Sequence, residues 1–124
     1  MAMLSAHFSE SEFACKHCGT LPTYGISSAL LTGLERLRAR LGRPIYITSG
    51  YRCPVHNANV GGVSNSQHVA GTAADIYVDG VSTRELARIC KQIFDGVGTY
   101  VDGGFVHVDM RAGGSVPGYY LWEG

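Results

Sequence analysis

Ser66-Gln67-His68-Val69-Ala70-Gly71-Thr72-Ala73-Ala74-Asp75 is the stretch from which the rest of the chain can be read. It carries one histidine and one aspartate, His68 and Asp75, with small residues between them. Imidazole and carboxylate are two of the three common side-chain ligands for zinc. Gly71 has access to backbone conformations closed to other residues, so the chain can fold back sharply after His68. From Ala73 to Val78 the pattern becomes strand-like. The expectation is a loop carrying His68 and a strand carrying Asp75, both facing one cleft. Such a pair is a weak signal alone, because most are a loop histidine and an unrelated surface acid.

A third candidate lies further along, in Gly104-Phe105-Val106-His107-Val108-Asp109-Met110. Alternation of this kind marks a strand with one buried face. His107 and Asp109 are two apart and share a side of that strand. A polar pair among Phe105, Val106, Val108 and Met110 is costly to bury unless something holds it. One reading is a histidine hydrogen-bonded within the core. The other is a third zinc ligand, with Asp109 as its orienting partner or as a proton acceptor.

Ser66, His68, Gly71, Ala73 and Asp75 fill the pattern S-x-H-x-x-G-x-A-x-D. Here the chain resembles the zinc D-alanyl-D-alanine carboxypeptidase family, which includes phage endolysins that cut the peptidoglycan stem peptide. Thr48-Ser49-Gly50-Tyr51-Arg52 resembles the family's S-G-Y-R segment. Asn57 with Val60-Gly61-Gly62 resembles the loop leading into the signature, and Phe105 to Asp109 resembles the strand with the last metal ligand. The agreement runs from about Pro44 to Arg111, and His7 to Cys15 resembles the start of compact phage-type members. The resemblance implies a fold shared with the Hedgehog signalling domain and Zn2+ as cofactor. It implies His68, Asp75 and His107 as ligands and a peptidoglycan peptide as substrate. It implies Arg52 as the cation that binds substrate or steadies an oxyanion. In one respect the chain departs from the pattern. Family members often place Glu, Asp or His two or three positions before the last ligand as catalytic base, where this chain has Phe105 and Gly104. Asp109 is the nearest candidate base, or else only orients His107.

The whole chain bounds these readings. Its 124 residues suit one domain, 1–124, and 45% hydrophobic content suffices for one core. Lys plus Arg and Asp plus Glu number ten each, without a basic run, which argues against nucleic acid as the partner. No apolar stretch approaches the ~20 residues that span a bilayer. Met1 to His7 lacks the charged start and apolar core of a secretory signal. The expectation is a monomer made in the cytoplasm that reaches the cell wall after phage-type release or as a virion component. Cys15, Cys18, Cys53 and Cys90 read as thiols rather than a disulfide framework. Cys15-Lys16-His17-Cys18 has zinc-knuckle spacing, but a structural site needs two further ligands and no second C-x-x-C exists. Buried thiols or a local turn are expected there.

In chain order, Ser9 to Glu12 reads as a capping box opening a short helix that carries Phe13. Cys15 to Gly25 reads as a loop. Ser27 or Ser28 caps a helix through Leu41, with Leu30, Leu34, Leu37 and Leu41 on its apolar face. Gly42 and Pro44 end it. Ile45 to Thr48 reads as a strand with Arg52 beyond its end, and His56 falls in a helical turn after Pro54. Val60 to Gln67 reads as a loop. Ser82 to Glu85 is a second capping box, for a helix to about Phe94. Gly96 to Val101 and the His107 strand form a hairpin about Asp102-Gly103. Tyr119, Tyr120 and Trp122 cover the core or wall the cleft. The fold class is α+β, with helices packed on a small, mainly antiparallel sheet. The function expected is zinc-dependent hydrolysis of stem-peptide bonds. The alternative is a non-catalytic zinc-binding or virion structural module of the same fold. A further rival is a serine or cysteine hydrolase built on Ser66 or Cys53 with a histidine; Ser66 has no obvious base partner, which argues against a serine nucleophile.

Overall fold

In the computed structural model, residues 2–62 and 66–124 are described. Local sequence chemistry sets the helices. α1 (Glu10–Phe13) starts at Ser9, whose backbone N–H donates to the Glu12 carboxylate at 2.7 Å, and it delivers Phe13 to the core. α2 (Ser28–Leu41) starts at Ser27, whose hydroxyl accepts from Leu30 N–H at 3.2 Å. It stops at Gly42, in the left-handed conformation with φ 63°. α3 (Pro54–Asn59) is capped by Cys53, and α4 (Gln67–Ala70) by Ser66. α5 (Thr83–Cys90) is capped by Ser82 and is shorter than expected; the chain turns after Cys90, although Ile93 and Phe94 remain buried.

Five strands form one sheet: β1 (Tyr46–Ser49), β2 (Ala73–Tyr77), β3 (Gly96–Tyr100), β4 (Phe105–Asp109) and β5 (Tyr120–Glu123). Their order is β1-β2-β4-β3-β5. The pairs β1–β2, β2–β4 and β3–β4 are antiparallel, and β3–β5 is parallel. The fold is therefore α+β with a mainly antiparallel sheet. β5 is an element that the sequence reading lacked.

Side chains alternate across a strand, so the sheet has two unlike faces. Ala74, Ile76, Val97, Val106 and Val108 are buried in one cluster with Leu30, Leu34 and Leu37 of α2 and with Leu86 and Ile89 of α5. Each fully buried Val, Leu or Ile side chain among them contributes about 1.5–3 kcal/mol to folding. The other face carries polar groups. Register places Ser49 across from Asp75, Asp75 across from His107, His107 across from Gly98 and Gly98 across from Trp122. One row across five strands thus assembles residues far apart in sequence. Asp95, with no exposed surface, accepts the amides of Ala112, Gly114 and Val116 at 2.8–3.0 Å. Those three bonds route the chain from β4 back to β5.

One expectation changes here. His68 sits on the helical turn α4 rather than in a loop, and Ser66 supplies that turn's cap by accepting His68 N–H. The loop read over 60–67 falls partly on residues 63–65, which lie outside the described residues. Among the described residues no helix is long and apolar enough to cross a membrane.

Candidate metal centre

α4 brings His68 to the sheet because Gly71 ends the turn at φ 75°, a conformation that glycine adopts without strain, and β2 begins two residues later. Asp75 and His107 come from neighbouring strands in direct register. The three side chains meet. His68 Nε2 lies 3.3 Å from Asp75 Oδ1, and His107 Nδ1 lies 3.1 Å from the same oxygen. Their ligating atoms all lie within 4.8 Å of one another, and all three residues are buried.

The hydrogen bonds behind the rings fix what each ring offers. His68 Nδ1 is 2.8 Å from the Gly50 carbonyl oxygen, which only accepts, so Nδ1 carries the proton. The Nε2 lone pair of neutral His68 then faces Asp75. His107 Nε2 is 2.7 Å from Asp109 Oδ2, and proton donation there leaves the His107 Nδ1 lone pair facing Asp75 as well. Two lone pairs and a carboxylate oxygen aimed at one point are held together by a cation, which is a metal ion when one is bound and otherwise the proton that a charged His107 donates to Asp75. Tetrahedral ligands at zinc bond lengths stand roughly 3.3 Å apart, and both histidine–Asp75 separations match. The donors suit zinc, and the backing of each imidazole by an acceptor is the usual device for orienting a metal-binding histidine.

Asp109 has no exposed surface. Its carboxylate accepts from His107, from Arg111 N–H, and from the Arg111 guanidinium at 2.9 and 2.8 Å. Its position behind the His107 ring, away from Asp75, fits orientation rather than proton transfer. Burial pushes its carboxyl up, but Arg111 and His107 more than offset this and hold it at about 2. Burial also raises Asp75, against hydrogen bonds and charge from His107 and His68 that hold it well below the usual carboxylate range. Burial lowers His107, while Asp109 and Asp75 raise it further than burial lowers it. Arg52 stands at the rim, with Nη2 3.5 Å from Asp75 Oδ2, Nη1 3.4 Å from Asn57 Oδ1 and Nε 3.3 Å from Ser49 Oγ.

A cleft of about 370 Å³ opens over these groups, lined also by Tyr100, Arg111 and Trp122. Trp122 is a cleft residue that the sequence reading left undecided. Gly98 has no side chain, so the Trp122 indole reaches across it to His107, with ring centroids 5.0 Å apart. The Trp122 Nε1–H donates to Tyr100 Oη at 2.8 Å, which leaves the phenol's own proton available to a group in the cleft. Arg111, gripping Asp109, lies over the Tyr120 and Trp122 rings at 4.8 and 5.4 Å. The signal for Trp122 was Gly96-Val97-Gly98, since two glycines on one face of a strand make room for large neighbours.

An α+β sheet that offers two imidazoles and a carboxylate to one point, beside an arginine and under an open cleft, is the arrangement of a metal-dependent hydrolase. The particular family follows from comparison: the chain belongs to the peptidase M15 family, whose profile matches residues 6–109. The zinc D-Ala-D-Ala carboxypeptidase of Streptomyces albus G is 43% identical over 53 residues, which cover 40% of this chain and 21% of that protein. Family and donor set together imply Zn2+ as the cofactor.

Proposed function

We propose that this chain hydrolyses peptide bonds in peptidoglycan stem peptides, as a carboxypeptidase or endopeptidase, with residues 1–124 as one catalytic unit. His68, Asp75 and His107 hold zinc in this reading. The observation that supports it most is the convergence of two oriented imidazole lone pairs with Asp75 Oδ1 beneath the cleft. When bound, zinc supplies a Lewis acid and makes water available as a nucleophile near neutral pH. Arg52 binds the substrate's carboxylate or carbonyl oxygen with its planar fork. Asp109 is a positioning residue that holds His107 in one tautomer. Tyr100, its oxygen already accepting from Trp122, donates its proton toward the reacting carbonyl or the leaving amine. The partner is a peptidoglycan peptide. Release at the cell wall by a phage-type route, or as part of a virion, is the setting that the residue pattern supports.

The test is incubation with purified peptidoglycan, followed by mass spectrometry of the muropeptides. New free amines, lost with a chelator and in His68→Ala, are the expected result. The mass of the released fragment distinguishes a terminal D-Ala from an internal cut. A second reading, a non-catalytic zinc module, is favoured by one observation. Among the described residues that line the cleft, Asp75 is the sole carboxylate, and it is already a ligand. Unchanged muropeptides with zinc bound would select that reading.

A further inference from the structure

Away from the cleft, three of the four cysteines meet. Cys15-Lys16-His17-Cys18-Gly19 forms a tight turn, in which Gly19 N–H donates to the Cys15 carbonyl at 2.7 Å and Gly19 takes φ 70°. Cys53, from a segment far along the chain, caps α3 beside that turn. The sulfurs of Cys15, Cys18 and Cys53 all lie within 4.8 Å of one another. Four thiolates or imidazoles around zinc, with Zn–S bonds of about 2.3 Å, stand roughly 4 Å apart. His17 Nδ1 is 3.8 Å from Cys53 Sγ, and the His17 and His56 rings stack with centroids 5.9 Å apart. Two paired spacings are present, Cys15-x-x-Cys18 and Cys53-x-x-His56. The second pair joins one cysteine to one histidine, so cysteine spacing alone does not mark it.

We propose that Cys15, Cys18 and Cys53, completed by an imidazole of the stacked His17–His56 pair, form a second, structural site for Zn2+. The backbone is arranged for thiolates. Cys15 Sγ accepts the Cys53 amide at 3.4 Å, and Cys53 Sγ accepts the His56 amide at 3.4 Å. The His17 and Cys18 amides also lower the Cys15 thiol electrostatically. Burial raises the Cys15 thiol, yet these amides and the Cys53 sulfur bring it to about 7. The His56 amide lowers Cys53, but desolvation, Cys15 and Cys18 raise it further in turn, as thiols crowded at one point do. Cys90 is the contrast: buried without such donors, its thiol is pushed well up. An odd number of thiols at one point cannot all be consumed by disulfides, whereas one cation satisfies all three. The site ties the N-terminal segment to the residue next to Arg52. Tyr51 N–H already donates to the Phe13 carbonyl at 2.8 Å on the same seam. The metal therefore clamps the loop that presents Arg52 to the cleft.

Metal analysis of protein purified without chelator tests this independently of the hydrolase reading. Wild type should hold two zinc ions per chain. His68→Ala and Cys18→Ser should each hold one, and the combined variant none. Cys18 is exposed, so serine there leaves the core untouched. Cobalt substitution needs no variant. An intense near-ultraviolet sulfur-to-cobalt band should appear in wild type, persist in His68→Ala and vanish in Cys18→Ser. The double variant His17→Ala/His56→Ala should lose the second zinc. One zinc per wild-type chain that disappears entirely in His68→Ala, absence of the cobalt band, or a second zinc unaffected by the double histidine variant would each overturn the proposal.

Discussion

At the scale of single residues, the chemistry turns on how His107 is held. Its Nε2 proton goes to Asp109, and Arg111 anchors Asp109 in turn. Asp109→Asn keeps the shape but weakens that grip, so zinc affinity at the His68 site should fall about 10–100-fold. Competition with a chromophoric chelator measures this. If Asp109 were the base, turnover would collapse with zinc affinity unchanged. The same residues set a pH dependence for the metal-free protein. His107 is raised above 6.5, so its contribution to stability is full below 6.5 and is lost as pH rises through its folded value. Asp109 is lowered from 3.8 to about 2, so its contribution is present above 3.8 and is lost as pH falls toward 2. In excess chelator, the melting temperature should therefore decline from pH 6 to pH 8. Zinc requires neutral His107, so the rise in melting temperature on adding zinc should grow over the same interval. A metal-free melting temperature that is flat across this range would remove the His107 ion pairs from the account. His68, Asp75 and His107 were visible in sequence because imidazoles and carboxylates have few reasons to lie among small and apolar residues. The contacts of Asp109 were not visible, because a base and an orienting partner have the same residue type and spacing. Its bonds to Arg111 and its place behind the ring support the orienting role proposed above.

At the scale of elements, β3 is the strand on which the cleft depends. A Cβ built on Gly98 would stand 2.5 Å from the Trp122 indole, and one on Gly96 would collide with the Asp109 carboxylate. Alanine is ordinarily the better strand residue by about 0.5–1 kcal/mol. Overpacking costs about 1–3 kcal/mol and decides the sign here. Gly98→Ala should thus destabilise the wild type, as read by urea unfolding, and lower turnover. In a Trp122→Ala background the same substitution should become neutral or stabilising, since the obstacle is gone. A double-mutant cycle gives the coupling directly; independent effects would mean that Gly98 is not kept small for the indole. α1, α2 and the start of α5 were legible from sequence, because Ser9, Ser27 and Ser82 announce starts and Gly42 announces a stop by local hydrogen bonding; the single turn α4, read as loop, was not. β5 was not. Of its four residues only Trp122 is partly covered, so no apolar alternation marks it. Its pairing with β3 is parallel and depends on Asp95 gathering the loop between them. That is a tertiary fact with no local signature.

At the scale of the whole molecule, the candidate metal ligands and one wall of the cleft come from different parts of the chain. The candidate ligands lie on α4, β2 and β4, and the family match ends at residue 109. Trp122, which touches His107 and bonds Tyr100, lies beyond that match. Cutting the chain before residue 119 removes β5 but none of the three ligands. The shortened protein should still take up zinc at the His68 site, with its affinity changed by much less than in Asp109→Asn. Its turnover of muropeptides should drop sharply, because Tyr100 loses the indole that positions its phenol and the cleft loses a wall. Exposing the edge of β3 invites pairing between molecules, so Trp122→Ala in the full chain is the cleaner comparison and should reproduce the loss of turnover. Zinc titration and muropeptide assays on both variants separate the two functions. If turnover survives in both, catalysis resides within the matched residues, and β5 serves the sheet alone. If zinc is lost in both, the indole packed on His107 is itself part of what holds the metal centre together.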